Sequence, residues 1–203
     1  MKALYVTDRA AIGDDRFGGL LAALCGAPGL SVQLREKNST DAVCLGWARR
    51  AREALGRTVP LYVNRRFDVA WAAGADGVHL PSDGLPFSPV RAATPRGFRV
   101  GLSTHSPDGA RRAIDEGVDL IVIGPIFETP SKTAFGEPIG PEALAGLPRR
   151  DEHGRDVFAI GGIDERRLSA LLPYRDRISG VAAIRLFQES ADPRGVVDRI
   201  MAA

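Results

Sequence analysis

The sequence predicts an α/β protein, a single (β/α)8 TIM barrel spanning residues 1–203. Three observations predict it. Eight short β-rich runs recur along the chain, most of them apolar nearly throughout, as strands buried on both faces must be. A helix-like segment lies between each run and the next. The turn after the first run reads TDRAAIGDD and lacks the G-x-G-x-x-G that an open doubly wound sheet normally shows there.

The runs are ALYVT (3–7), SVQLRE (31–36), PLYVN (60–64), DGVHL (76–80), FRVGLS (98–103), DLIVIG (119–124), DVFAIG (156–161) and ISGVAAI (178–184). Helical segments are expected at 16–25, 39–55, 67–73, 88–93, 107–116, 141–147, 164–172 and 193–202. Their starts are marked by local chemistry. Ser106 followed by Pro107 is an N-cap with proline at the first helical position, and Asp164 follows Gly161-Gly162-Ile163 directly. No linker or low-complexity segment divides the chain.

Composition excludes several classes. The net charge of +2 is small and evenly spread, which argues against nucleic acid as a partner. No apolar run reaches the roughly 18 residues of a membrane span, and MKALYVT is too short for a signal peptide. Cys25 and Cys44 have no metal-site spacing and read as buried free thiols. The expected location is cytoplasmic.

Lysine usage is informative. Only three of the 27 basic residues are lysines, namely Lys2, Lys37 and Lys132. Asn38, Asn64, Gln33 and Gln188 are the only side-chain amides. In a barrel the functional groups sit at the C-terminal ends of the strands. Lys37, Lys132, Asn64 and Gln33 all fall there, beside Arg35, Ser103, Thr129 and Ser131. A compact ammonium retained in an arginine-rich chain marks places where a guanidinium does not substitute. Lysines and an arginine converging without an acidic cluster repel one another unless a dense anion lies between them, and a diphosphate meets that requirement.

A second subsite is expected after strands seven and eight, in AIGGID and AAIRL. Barrels commonly hold a phosphate there on backbone N–H groups, here those near Gly161, Gly162 and Ile184, with Arg185 adding charge. A tight turn before a helix would look the same. His79, inside an apolar strand, reads as structural; His105 lies nearer the mouth; His153, in DEHGRD, reads as a surface residue. No HExxH, Cys-rich or Ser/His/Asp pattern occurs.

Six motifs in register, QLREK, VN, DGVHL, GLSTHS, GPIFETPSK and AIGGI, resemble the thiamine-phosphate synthase and thiazole tautomerase (TenI-like) family over nearly the whole chain. The resemblance implies a transferase of thiamine biosynthesis. Such an enzyme joins hydroxymethylpyrimidine diphosphate to thiazole phosphate, with Mg²⁺, and releases pyrophosphate. Carried over residue by residue, Gln33, Arg35, Lys37, Asn64, Thr129, Ser131 and Lys132 would bind the pyrimidine diphosphate. Lys132, Ser103 and Arg35 would be catalytic. Gly161, Gly162, Ile184 and Arg185 would hold the thiazole phosphate. A homodimer fits the resemblance.

Departures from the family pattern are specific. Arg65 stands where the synthases carry one metal aspartate and Gly84 where they carry another, which leaves Asp83, one residue early, as the candidate Mg²⁺ ligand. Arg185 replaces a serine. Pro125 stands where the tautomerases have a histidine, although Leu80-Pro81-Ser82 is tautomerase-like. Two alternatives therefore accompany the synthase reading: a tautomerase-like isomerase using His105 or Glu128, and a non-catalytic binder of phosphorylated ligands. The loop from Gly124 to Gly140 is expected to close over the mouth as a lid, hinged at Gly136 and Gly140.

Overall fold

The computed structural model describes residues 1–129 and 137–203. Eight parallel strands close on themselves in sequence order: β1 (Lys2–Val6), β2 (Leu30–Leu34), β3 (Leu61–Asn64), β4 (Gly77–Leu80), β5 (Arg99–Thr104), β6 (Leu120–Ile123), β7 (Asp156–Ile160) and β8 (Gly180–Ala183). β1 pairs with both β2 and β8, so no edge is left open. The (β/α)8 barrel expected from the sequence is the observed fold.

Alternation along the strands sorts their side chains into two cores. Ala3, Tyr5, Val32, Leu34, Leu61, Val63, Ile121, Ile123, Val157, Ala159 and Val181 face the helices and join the outer core. Leu4, Val6, Tyr62, Leu120, Val122, Phe158 and Ala182 form a separate cluster that fills the barrel. Phe158, 1% exposed, contributes about 1.5–3 kcal/mol by its burial. Gly77 leaves room for the Tyr62 ring, since a Cβ there would stand 2.9 Å from Tyr62 Cδ1.

The outer layer contains α1 (Arg9–Ile12), α2 (Asp14–Ala23), α3 (Asp41–Leu55), α4 (Phe67–Ala72), α5 (Phe87–Ala93), α6 (Pro107–Asp115), α7 (Arg150–His153), α8 (Arg185–Gln188) and α9 (Pro193–Ala202). Ser106 Oγ caps α6 by accepting from Gly109 N at 3.1 Å, and Asp192 caps α9 by accepting from Gly195 N at 2.9 Å. Thr40 caps α3 through Val43 N at 3.4 Å.

Several local expectations are corrected. Residues 141–147 form a 3-10 helix, Pro141–Gly146, because six residues confined between Pro141 and Pro148 are too few to sustain α-helical nucleation. The segment 164–172 is not an α-helix either. Asp164 closes a turn by accepting from Arg167 N at 2.9 Å, and a 3-10 helix, Leu168–Tyr174, follows. Pro173 inside it has no N–H for the α-helical ladder. Cys25 lies beyond the end of α2 and is exposed, whereas Cys44 is buried as expected. DEHGRD contains the short helix α7, and His153 is half-buried, its Nδ1 accepting from Arg155 N at 2.9 Å.

Candidate active site at the C-terminal mouth of the barrel

Strand registry places the polar residues on the inner wall. Gln33 lies opposite Tyr62, Asn64 opposite His79, His79 opposite Gly101 and Ser103 opposite Val122. Since Tyr62 and Val122 point inward, so do their neighbours. The upper interior is therefore divided. The β2–β5 side presents Gln33, Asn64, His79 and Ser103, and the β6–β8 side presents Val122, Ile160 and Ile184. A ligand with a polar edge and an apolar ring face suits such a mouth.

The polar half is hydrogen-bonded. Gln33 Nε2 donates to Asn64 Oδ1 at 3.1 Å, and Gln33 itself is buried. His79 Nε2 and Ser103 Oγ lie 2.8 Å apart. His79 is 2% exposed, and Gly101 makes the room for its ring: a Cβ at 101 would be 2.7 Å from His79 Nδ1. The reading of His79 as structural fits this burial, but its ring also positions Ser103, a partnership that sequence spacing does not show.

Just above lie the cations. Arg35, half-buried, has its backbone N–H fixed by Thr7 Oγ1 at 2.9 Å. Burial pushes the Arg35 pKa down, Asp8 opposes this, and the Arg65 charge adds to the lowering. Desolvation also lowers the Lys37 pKa, and Arg35 and Arg65 reinforce the shift against the pull of Asp8 and Asp83. Burial is the main cause of both shifts, and repulsion among the three cations adds to it. Glu36 is unavailable to neutralise them, because Arg9 holds its carboxylate with Nη2 at 2.8 Å and Nε at 3.2 Å.

Arg65 ends β3 in an unusual conformation. Its φ is 67°, and Arg66 N donates to Asn64 O at 2.9 Å, closing a three-residue turn around it. A non-glycine residue held there costs about 1–2 kcal/mol. From this turn Arg65 Nη2 reaches both Asp83 oxygens, at 2.6 and 2.7 Å. That hydrogen bond holds the Asp83 carboxyl below the ordinary carboxylate range. Asp83 sits in the turn 81–84, closed by Gly84 N to Pro81 O at 2.9 Å. A Cβ on Gly84 would stand 3.0 Å from Pro81 O, so a carboxylate side chain is poorly accommodated there.

Mg²⁺ binds six hard oxygen ligands, usually one or two carboxylates with waters and phosphate. Among the described residues no group of three His, Cys, Asp or Glu side chains could hold a metal ion. Asp83, the one carboxylate suggested for the role, is engaged by a guanidinium. With a guanidinium on both Asp83 oxygens, and with Arg65 itself directly after Asn64, this pair presents no open carboxylate to Mg²⁺.

A further pair emerges only in three dimensions. His105 Nδ1 is 2.6 Å from the Gly124 carbonyl, which can only accept, so Nδ1 carries the proton. In the neutral ring Nε2 is then an acceptor for the Ser82 hydroxyl, 3.0 Å away.

On the other side, Gly161 (φ 108°) and Gly162 (φ 62°) stand beneath the loop after β6. A Cβ on Gly161 would meet Pro125 Cα at 2.6 Å, and one on Gly162 would meet Glu128 O at 2.4 Å. Close approach of the two loops thus accounts for both glycines. Ile184 precedes α8, and Arg185, its first residue, is exposed. The two ends of the loop after β6 are tied together by Ile139 N to Pro125 O at 2.9 Å and Gly140 N to Ile126 O at 3.1 Å. Thr129 is half-buried on its leading limb. Ser131, Lys132 and Gly136 lie outside the described residues.

A closed barrel with a cationic, amide-lined mouth defines a class of small-molecule enzyme scaffold, and comparison with known proteins narrows it. The sequence profile described as thiamine monophosphate synthase matches residues 3–187. The thiamine-phosphate synthase of Methanoculleus marisnigri is 37% identical over 206 residues, covering 98% of this chain and 96% of that protein. Its counterpart in Roseiflexus sp. is 36% identical, covering 93% and 78%. The structure of thiamine phosphate pyrophosphorylase from Pyrococcus furiosus superimposes with a TM-score of 0.81 at 25% identity, over 99% of this chain and 94% of that one. The chain belongs to the thiamine monophosphate synthase family.

Proposed function

We propose that the protein joins hydroxymethylpyrimidine diphosphate to thiazole phosphate and releases pyrophosphate. The observation that carries this reading is the cation cluster of Arg35, Lys37 and Arg65 above the amide pair of Gln33 and Asn64. A diphosphate neutralises those charges, and the amides beneath it suit the hydrogen-bonding edge of a pyrimidine. The bond between the pyrimidine methylene carbon and the diphosphate oxygen breaks, and its electron pair leaves with pyrophosphate. The thiazole nitrogen lone pair then forms the new C–N bond. No proton transfer is needed for that exchange.

Cations positioned where charge develops on the leaving group lower the barrier electrostatically. Arg35 supplies such a charge, and Lys132, with Ser131 and Thr129, is assigned the same task from the motif alone. Ser103, held by His79, lies where it can orient the reacting centre. The apolar wall of Val122, Ile160 and Ile184 keeps water from the pyrimidine-methyl cation. The thiazole phosphate is assigned to Gly161, Gly162, Ile184 and Arg185. These small phosphorylated substrates and a cytoplasmic location complete the proposal.

Coupling assayed with both substrates and purified protein, across a series that includes EDTA and Mg²⁺, tests it. Thiamine phosphate and pyrophosphate should appear in equal amounts, and no product under any condition rejects the reading. The Ser82–His105 pair favours one alternative, acid–base isomerisation of a thiazole phosphate carboxylate. Deuterium exchange at that substrate, abolished by His105→Gln, would support it.

A further inference from the structure

We propose that Arg65 is the third cation of a diphosphate subsite that works without a divalent metal, and that Asp83 is its resident counter-anion, displaced when diphosphate binds. The inference rests on the diphosphate reading of the mouth and assigns a part of it.

Four observations carry it. The Arg65 side chain is aimed by a strained turn, anchored on one side by Arg65 N to His79 O at 2.9 Å and on the other by Arg66 N to Asn64 O. Strain of that kind persists where the surrounding structure holds it, and it clusters at ligand clamps. Arg35 follows β2 and Arg65 follows β3, paired neighbours with Leu34 opposite Val63, so the two emerge side by side at the mouth, and the Arg65 charge acts on both Arg35 and Lys37. Its partner pair is exposed, with side chains 50% and 68% accessible, and exposed pairs are weakly held and readily exchanged. Finally, the described residues include no group of three His, Cys, Asp or Glu side chains that could hold a metal ion, and the residue directly after Asn64 is a guanidinium, which supplies no oxygen to a hard cation.

Asp83 offers Arg65 two oxygens and one negative charge. A diphosphate offers more oxygens and at least twice the charge, and it reaches Arg35 and Lys37 as well. Exchange of the carboxylate for the diphosphate therefore relieves repulsion among three cations at once. A planar guanidinium suits a phosphate in two-point fashion where a hydrated ammonium would not.

Titration calorimetry of inorganic pyrophosphate into the full-length protein, in EDTA and in Mg²⁺, tests the proposal. The Kd in EDTA should lie within about threefold of that in Mg²⁺, and Arg65→Ala should weaken binding in EDTA by about tenfold, the scale of a charge-assisted hydrogen bond. Asp83→Asn should tighten binding in EDTA by about threefold, because a competing anion has gone. Arg65→Gly, which relieves the positive φ, should bind as weakly as Arg65→Ala and so separates charge from folding. Binding that requires Mg²⁺, or an Asp83→Asn variant that loses affinity in Mg²⁺, overturns the proposal by making Asp83 a metal ligand. Pyrophosphate binding in EDTA without coupling of the two substrates rejects the coupling reading and keeps this subsite. Coupling with strictly metal-dependent pyrophosphate binding does the reverse.

Discussion

Replacing Gly101 by alanine would show whether the His79–Ser103 pair is as tightly built as the geometry says. Gly101 has no positive φ, so alanine by itself should stabilise the strand by about 0.4–1 kcal/mol through the unfolded chain. Packing opposes this. The new Cβ would lie 2.7 Å from His79 Nδ1, 3.2 Å from Leu120 O and 3.3 Å from Leu120 Cδ2. The ring is buried and cannot retreat freely, since Ser103 holds its other nitrogen at 2.8 Å. Overpacking costs about 1–3 kcal/mol, and a lost hydrogen bond adds about 1 kcal/mol. The net loss is about 2 kcal/mol, or roughly 4–8 °C in Tm for a chain of this size. Urea unfolding of Gly101→Ala, alone and combined with His79→Ala, measures it. The cost should fall by more than half when the ring is absent, a coupling of about 1–3 kcal/mol. A single variant as stable as the parent, or an unchanged cost without His79, refutes the reasoning.

Other perturbations probe separate parts. Gly162→Ala combines a φ of 62° with a Cβ 2.4 Å from Glu128 O, so at least about 2 kcal/mol should be lost in urea unfolding, and an unchanged midpoint would contradict the packing of the two loops. Asp156 bridges Lys2 at 2.7 Å and Arg99 at 3.1 Å, and although burial pushes its pKa up, those two cations outweigh it and leave the value below 3.8. A depressed carboxylate pKa stabilises the fold above its unfolded value and ceases to do so as pH falls through the folded one. Asp156→Asn should thus cost about 1 kcal/mol at neutral pH, after allowance for the exposure of its partners, with the gap closing below about pH 4. A gap that widens in acid would refute that sign. Ser106→Ala should lower stability by about 1 kcal/mol through loss of the α6 cap, measured by thermal unfolding. Lys132→Ala should slow coupling about a hundredfold in a steady-state assay, and an unaltered kcat would remove it from the leaving-group machinery.

The strands, their number and the polar character of the mouth were legible in the chain because they depend on short-range pattern. A strand buried on both faces must be apolar, and a barrel leaves its C-terminal strand ends to function, so Gln33, Arg35, Lys37, Asn64 and Ser103 could be placed without coordinates. Helix starts were legible where a cap and a proline coincide, as at Ser106-Pro107. The 3-10 character of Pro141–Gly146 and Leu168–Tyr174 is not legible in the chain, because a brief apolar periodicity does not distinguish 3.0 from 3.6 residues per turn.

Local pattern could not settle which charges meet. Asp83 reads as a candidate metal ligand, and nothing in its sequence neighbourhood shows that the turn at Arg65 brings a guanidinium onto both its oxygens. Ser82 and His105 are 23 residues apart and meet through the neighbouring ends of β4 and β5. Gly101 looks like a weak point in a strand until register sets the His79 ring in the space its missing side chain leaves. Each of these pairings depends on the register and curvature of a closed sheet, and those are set by all eight strands together. Composition and order along the chain are enough for a barrel and its polar mouth; only closure of the barrel decides the partners at that mouth.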